Sequence, residues 1–311
     1  MDDYGYDEFG FLADNAAEAG LPFDRSPTVR RESFDIGDGR ALSALVWGDS
    51  PADLVLLHGG AQNAHTWDTV ALALDRPLLA VDLPGHGHSD GPIASSTANN
   101  PRTNAGDVAP AMRAASVAPA AVVGMSLGGL TTIALADSAP ELVRKVVLVD
   151  VLPGMTPARA RHISDFVNGP PTFSSFDELL QRTMHANPTR TESSLRRGIL
   201  HNAVQLPDGT WQWRWARHTQ PPLEVRQHHA SPSGLIYEDL WEPLTRIRVP
   251  LLLIRGMRPD SVLRDDDEAR FRERVPHAQV IHVAEAGHSV QGDAPVELAR
   301  IITEFALGDP R

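Results

Sequence analysis

The chain has 311 residues, 42% hydrophobic and 22% charged, which is the composition of a folded protein with a sizeable core. Its 40 Asp and Glu residues against 28 Lys and Arg give a net charge of −12, and that argues against nucleic-acid binding, which needs a basic face. There is no cysteine, so disulfides, thiolate nucleophiles and cysteine-based metal centres are excluded.

Met1-Asp2-Asp3-Tyr4 opens an acidic stretch without a basic or long apolar region, so no signal peptide is expected. No apolar run approaches membrane-spanning length, and a cytoplasmic location is expected. Within residues 1–30, Phe9, Leu12 and Ala16 fall at near-helical spacing before Gly20-Leu21-Pro22. That pattern suits either a short helix docked on the body or a disordered tail. Arg31 to Ile36 and Ala41 to Trp47 alternate across Gly37-Asp38-Gly39, a hairpin signal.

Apolar strands and helical stretches then alternate. Leu54 to Leu57 predicts a strand, 66–75 a helix, Leu78 to Val81 a strand and Ala105 to Ser116 a helix. Ala120 to Val123 is a further strand, Leu130 to Ala136 the body of a helix, and Val146 to Val149 another strand. Strands that are apolar throughout and separated by helices imply a mostly parallel central sheet with helices on both faces. The alternation stops over 153–245, expected to be helices and loops inserted as a cap, where Trp211, Trp213, Trp215 and Trp241 are concentrated. It resumes at Pro250 to Ile254, with a helix at 265–275, a strand at Gln279 to Val283 and a last helix from Pro295. The sheet-bearing body is therefore assigned to 31–152 and 246–311.

The strongest motif is Gly124-Met125-Ser126-Leu127-Gly128, placed between a strand and a helix. It matches the nucleophile elbow G-x-S-x-G. Glycines two residues either side of the serine fit a turn too tight for Cβ atoms, which lifts a strained serine out of the sheet.

Three further motifs follow in order: His58-Gly59-Gly60, Asp82-Leu83-Pro84-Gly85-His86-Gly87, and Ala286-Gly287-His288. Together with the elbow they make the chain resemble, over roughly residues 31–308, an α/β-hydrolase-fold serine hydrolase with a helical cap. The resemblance implies Ser126 as nucleophile and His288, after the last strand, as its general base. The acid that orients the base is expected after the strand at 250–254, where Asp260 stands. Asp150, at the end of the strand at 146–149, is the rival. Asp265, Asp266 and Asp267 instead suit the solvated start of the next helix. Backbone N–H groups of Gly60 and Leu127 are the implied oxyanion donors.

His86 and His88 alternate like a metal pair, but in this loop the resemblance makes them structural, and no metal or cofactor is implied. His228, His229 and the other histidines of 153–245 suit polar surface or pocket lining. The Trp211 to Trp215 stripe alternates like a strand or extended cap segment and suits core packing first and pocket lining second; Gln62, Asn63 and His65 are candidates to touch substrate.

The expected substrate is a small, apolar carboxylic ester or lactone, with no nucleic-acid or membrane partner, and a monomer or homodimer stays open. A carbon–carbon bond hydrolase would use the same triad. Haloalkane dehalogenases and epoxide hydrolases need aspartate where Ser126 stands. A hydrolase-fold receptor that binds without turnover is the reading from another class.

Overall fold

The computed structural model describes residues 6–91, 100–115, 119–159, 161–215 and 236–308. Its centre is an eight-stranded sheet in the order β1-β2-β4-β3-β5-β6-β10-β11. The strands are β1 (Val29–Gly37), β2 (Arg40–Trp47), β3 (Leu54–Leu57), β4 (Leu78–Val81), β5 (Ala120–Met125), β6 (Val143–Val149), β10 (Leu251–Gly256) and β11 (Gln279–Val283). β2 pairs antiparallel with both β1 and β4, and the pairs from β4 to β11 are parallel. The hairpin turns where Asp38 and Gly39 take positive φ, as its glycines suggest.

The apolar strands have no wet face. Successive side chains point to opposite sides of a strand, so Val55, Leu57 and Val122 enter one core cluster while Leu54, Leu56 and Val123 enter the other. The helices α3 (Pro101–Ala114) and α4 (Leu127–Ser138) cover the first face; α2 (Asp68–Leu74) and the helix Pro295–Ile302 cover the second. Each fully buried Leu or Val contributes roughly 1.5–3 kcal/mol relative to exposure, so burial on both faces is the main stabilising term. The N-terminal pattern is a helix, α1 (Leu12–Glu18), which buries Leu12 and Ala16.

Between β6 and β10 the chain forms α5 (Arg161–Val167), α6 (Phe176–Ala186) and α7 (Glu192–Asn202). It also holds a three-stranded antiparallel sheet of β7 (Thr172–Phe173), β8 (Ala203–Gln205) and β9 (Trp211–Trp213), with β9 central. This corrects the expectation of helices and loops alone. β9 falls on the Trp211 to Trp215 stripe, whose alternation suits a strand, while β7 and β8, two and three residues long, are too short to leave a periodic signal. Trp211, Trp213 and Trp215 fill a separate core with Phe173, Phe176 and Leu179. Trp241 belongs elsewhere, in the main core under the guanidinium groups of Arg270 and Arg274. No helix among the described residues is long and apolar enough to cross a membrane.

Candidate active site

Ser126 stands between β5 and α4 with φ 52° and ψ −119°, a backbone that L-residues avoid. The flanking glycines are steric necessities. A Cβ on Gly124 would lie 2.3 Å from the Gly128 carbonyl oxygen, and one on Gly128 would lie 2.2 Å from that of Leu57. Residues 120–125 and 127–130 are buried and Ser126 alone among them is partly exposed, so the turn delivers a hydroxyl to the surface of an otherwise closed core.

That surface is the wall of a cavity of about 920 Å³, lined by Ser126, His288, Gly60, Trp213 and Trp215 among others. His288 follows β11 and is 6% exposed. Its Nδ1 is 2.9 Å from Oδ2 of Asp150, which caps the end of β6 at φ 47°. Asp150 is fully buried and satisfied on both oxygens. Oδ1 accepts from Gly256 N (3.0 Å) and Ser261 Oγ (2.7 Å), and Oδ2 from Val262 N (3.1 Å) besides the imidazole.

Asp260, expected to face His288, does not. The loop after β10 turns Ser261 and Val262 inward onto Asp150, which leaves Asp260 exposed with its carboxylate against Gly287. The loop thus supplies donors to an acid held on β6. Asp265, Asp266 and Asp267 open the helix Asp265–Arg274, where Asp267 accepts from Arg264 N.

The turn after β3 packs directly on the elbow: a Cβ on Gly59 would lie 3.2 Å from that of Ser126. Ala61 takes positive φ there, which the sequence did not announce. His86 braces this turn. Its Nδ1–H donates to Pro84 O (3.0 Å) while Nε2 accepts from Ala61 N (3.1 Å), so both ring nitrogens are engaged. His88 is exposed and shares no such role. The N–H of Leu127 is the first of α4, where no intrahelical acceptor is available and the helix dipole favours an anion.

Gln62, Asn63 and His65 all line the cavity. Gln62 is bound to Gly59 N (3.0 Å), and Asn63 reaches across to His201 O (3.1 Å) and Asn202 Oδ1 (3.3 Å) on α7. His65 centres a buried ionic network. Its Nδ1 meets Asp68 (2.9 Å), its Nε2 meets Glu8 (3.1 Å), and its ring stacks on His201 at 3.7 Å. Burial opposes its charge, but the Asp68 and Glu8 carboxylates outweigh that and raise its pKa to about 9. His201 titrates well below the usual range, first because it is buried and then because charged His65 faces it. Donor atoms of His65, Asp68 and His201 lie within 4.8 Å of one another, the spacing of a metal cage. The rings, however, are parallel within 10°, so their lone pairs do not converge on one point. His228 and His229 lie outside the described residues.

Residues 54–295 match the α/β-hydrolase fold family. The chain belongs to this family. Esterase Rv0045c of Mycobacterium tuberculosis is 39% identical over 309 residues, which cover 96% of this chain and 95% of that protein. Its crystal structure matches with a TM-score of 0.78 at 40% identity, over 96% of this chain and 97% of that one. A 3-hydroxybutyrate-oligomer hydrolase of Cupriavidus necator is 28% identical over 270 residues, 84% of this chain and 91% of its own. The structure of E-2-(acetamidomethylene)succinate hydrolase shares the fold, with a TM-score of 0.76 at 24% identity over 90% of this chain and 100% of its own. The chain is accordingly an enzyme, a hydrolase of the α/β-hydrolase superfamily.

Two features of the site escaped the sequence. The inward turn of Ser261 depends on how the loop after β10 closes, and the Glu8 contact joins residues 57 positions apart. Neither leaves a local pattern.

Proposed function

We propose that this α/β-hydrolase cleaves a carboxylic ester through an acyl-enzyme on Ser126, with His288 as general base and Asp150 as its orienting acid. The observation that carries the reading is the His288–Asp150 pair at 2.9 Å, opening into the cavity that Ser126 also lines. An imidazole whose Nδ1–H donates to a carboxylate keeps Nε2 unprotonated and ready to accept a proton.

In the forward step Ser126 Oγ bonds to the ester carbon as its proton moves to His288 Nε2. The carbonyl π electrons move to oxygen, and the N–H groups of Gly60 and Leu127 receive that oxyanion. Collapse expels the alcohol, which takes the proton from His288. Water, deprotonated by His288, then attacks the acyl-enzyme and releases the acid and Ser126. The described residues of the 153–245 segment serve as the cap over the cavity, with Trp213 and Trp215 as its apolar wall. The esterase named among the relatives supports an ester substrate. Lactones and vinylogous diketones, which the same triad can process, are the comparison arms.

A fluorophosphonate probe tests the reading. It is expected to label the wild-type protein at Ser126 and not the Ser126→Ala variant. Folded wild-type protein that resists labelling and leaves a panel of nitrophenyl esters and lactones intact would overturn it.

A further inference from the structure

Arg190 is the anomaly of the cavity. The other guanidinium groups that line it have carboxylate partners: Arg197 meets Glu18 and Arg258 meets Glu285. Arg190 has none within ion-pair distance among the described residues; its side-chain hydrogen bond runs from Nη2 to the neutral Ser194 Oγ at 2.6 Å. It lies in the connection between α6 and α7 and lines the same cavity as Ser126 and His288. Burying a cation without a counter-charge in contact is costly, and none of the described carboxylates is placed against it.

The surroundings make room for an anion there. Arg190 Nη1 rests on the backbone of Gly292, four residues after His288, where a Cβ would lie 2.3 Å from it. A side chain at 292 would displace the guanidinium, so the glycine lets it sit beside the histidine loop. Desolvation holds the Arg190 pKa below its ordinary value, with Asp293 and Glu18 acting from a distance in the opposite sense. Neither acid lies within ion-pair distance of it. Asp293 accepts from Gly287 N at 2.9 Å, and Glu18 is taken by Arg197 and Thr191.

We propose that Arg190 is the anchor for a carboxylate carried by the substrate, so that the ester cleaved at Ser126 bears a free acid group at its far end. One uncommitted guanidinium matches one negative charge, and its planar fork suits a carboxylate in a bidentate pose. A dianionic phosphate would leave one charge unmatched, because Arg197 is already engaged. The proposal rests on reading this cavity as the ester-cleaving site, and it replaces the purely apolar substrate expected from the sequence with an amphiphilic one.

The test compares the mono-4-nitrophenyl ester of adipic acid with its methyl-capped, uncharged isostere. Wild-type enzyme is expected to favour the free acid, mainly through KM, and Arg190→Gln to bring the kcat/KM ratio of the two esters close to one. The expected loss for the acid is about 10- to 100-fold, as for a charge-assisted hydrogen bond. Arg190→Lys should recover part of the preference. A direct binding arm uses Ser126→Ala protein and calorimetry of the intact hemiester, with and without Arg190→Gln. Arg190-dependent binding without turnover in the wild type would sustain the carboxylate site while removing the esterase reading. No preference in the wild type, or equal losses for both esters in Arg190→Gln, would overturn the proposal, and unaltered thermal unfolding of the variants guards against misfolding.

Discussion

Two histidines that line this cavity are each paired with a buried carboxylate at the same separation, 2.9 Å, yet they are built for different work. His288 is held at Nδ1 by Asp150, and no partner among the described residues takes its other nitrogen. His65 is held on both sides, by Asp68 at Nδ1 and by Glu8 at Nε2. An imidazole with one nitrogen free can carry a proton from one reactant to the next; an imidazole bound at both is a fixed cation in a brace. The distance to a carboxylate therefore does not make a histidine a base. What the second nitrogen faces decides it.

The sharpest way to break the comparison is to remove each histidine in turn. His288→Asn should lower kcat by a factor on the order of 10⁶, as loss of a triad base does, while protein folding is retained. Asp150→Asn should cost on the order of 10⁴ in kcat through the wrong tautomer. His65→Asn should do the opposite. It leaves Asp68 buried without its main partner, so unfolding free energy should fall by about 3 kcal/mol, while kcat of the folded fraction changes by only a few-fold. Steady-state kinetics and urea midpoints on the same preparations separate the two outcomes. A 10⁴-fold loss of kcat in His65→Asn would mean that the brace takes part in chemistry.

The brace also predicts a pH dependence whose sign can be worked out. His65 is raised from 6.5 unfolded to about 9 folded, so its contribution is complete below 6.5 and is lost as pH climbs through 9. His201, stacked on it, is lowered, so the unfolded chain binds its proton more readily and stability falls as pH drops below 6.5. Glu8 is lowered from 4.5 to about 2, and its contribution disappears as pH falls through that interval. Asp68 is shifted upward by burial, which adds proton uptake on the acid side and softens the loss there. Urea midpoints should therefore decline between pH 6.5 and 9 in the wild type. In His65→Asn that alkaline decline should flatten.

How much of this was legible in the chain depends on whether the constraint is local. Gly124 is forced by a contact with Gly128 inside the elbow, and although Gly128 is forced by Leu57 on β3, the serine and its glycines still stand in five adjacent residues. The strands of the large sheet are apolar throughout because both their faces are buried. The acid is different. Asp150 and Asp260 each end or follow a strand, and what separates them is that Ser261 and Val262 turn toward β6. That is a property of loop closure across 111 residues, not of either aspartate's neighbours. The lone charge of Arg190 is still less local, since it emerges only when the partners of the other cavity-lining arginines, Arg197 and Arg258, have been placed. The strands β7 and β8 were missed because so few residues carry no period, whereas β9 falls on the alternating Trp211 to Trp215 stripe.

The smallest expected effect bears on the same choice of acid. Asp260 is exposed, and its carboxylate touches the backbone at Gly287 without meeting the imidazole of His288. Asp260→Asn keeps the shape and removes only a charge already solvated by water. Its effect on stability should stay within about 0.5 kcal/mol, and kcat should change by no more than roughly twofold. The pair of aspartates is thus expected to differ by about four orders of magnitude in kcat between Asp150→Asn and Asp260→Asn. Equal losses at both sites would mean that the two carboxylates exchange at His288 during turnover, with the loop after β10 moving. A loss confined to Asp260→Asn would make Asp150 a structural hub that ties β6 to that loop through its bonds to Gly256, Ser261 and Val262.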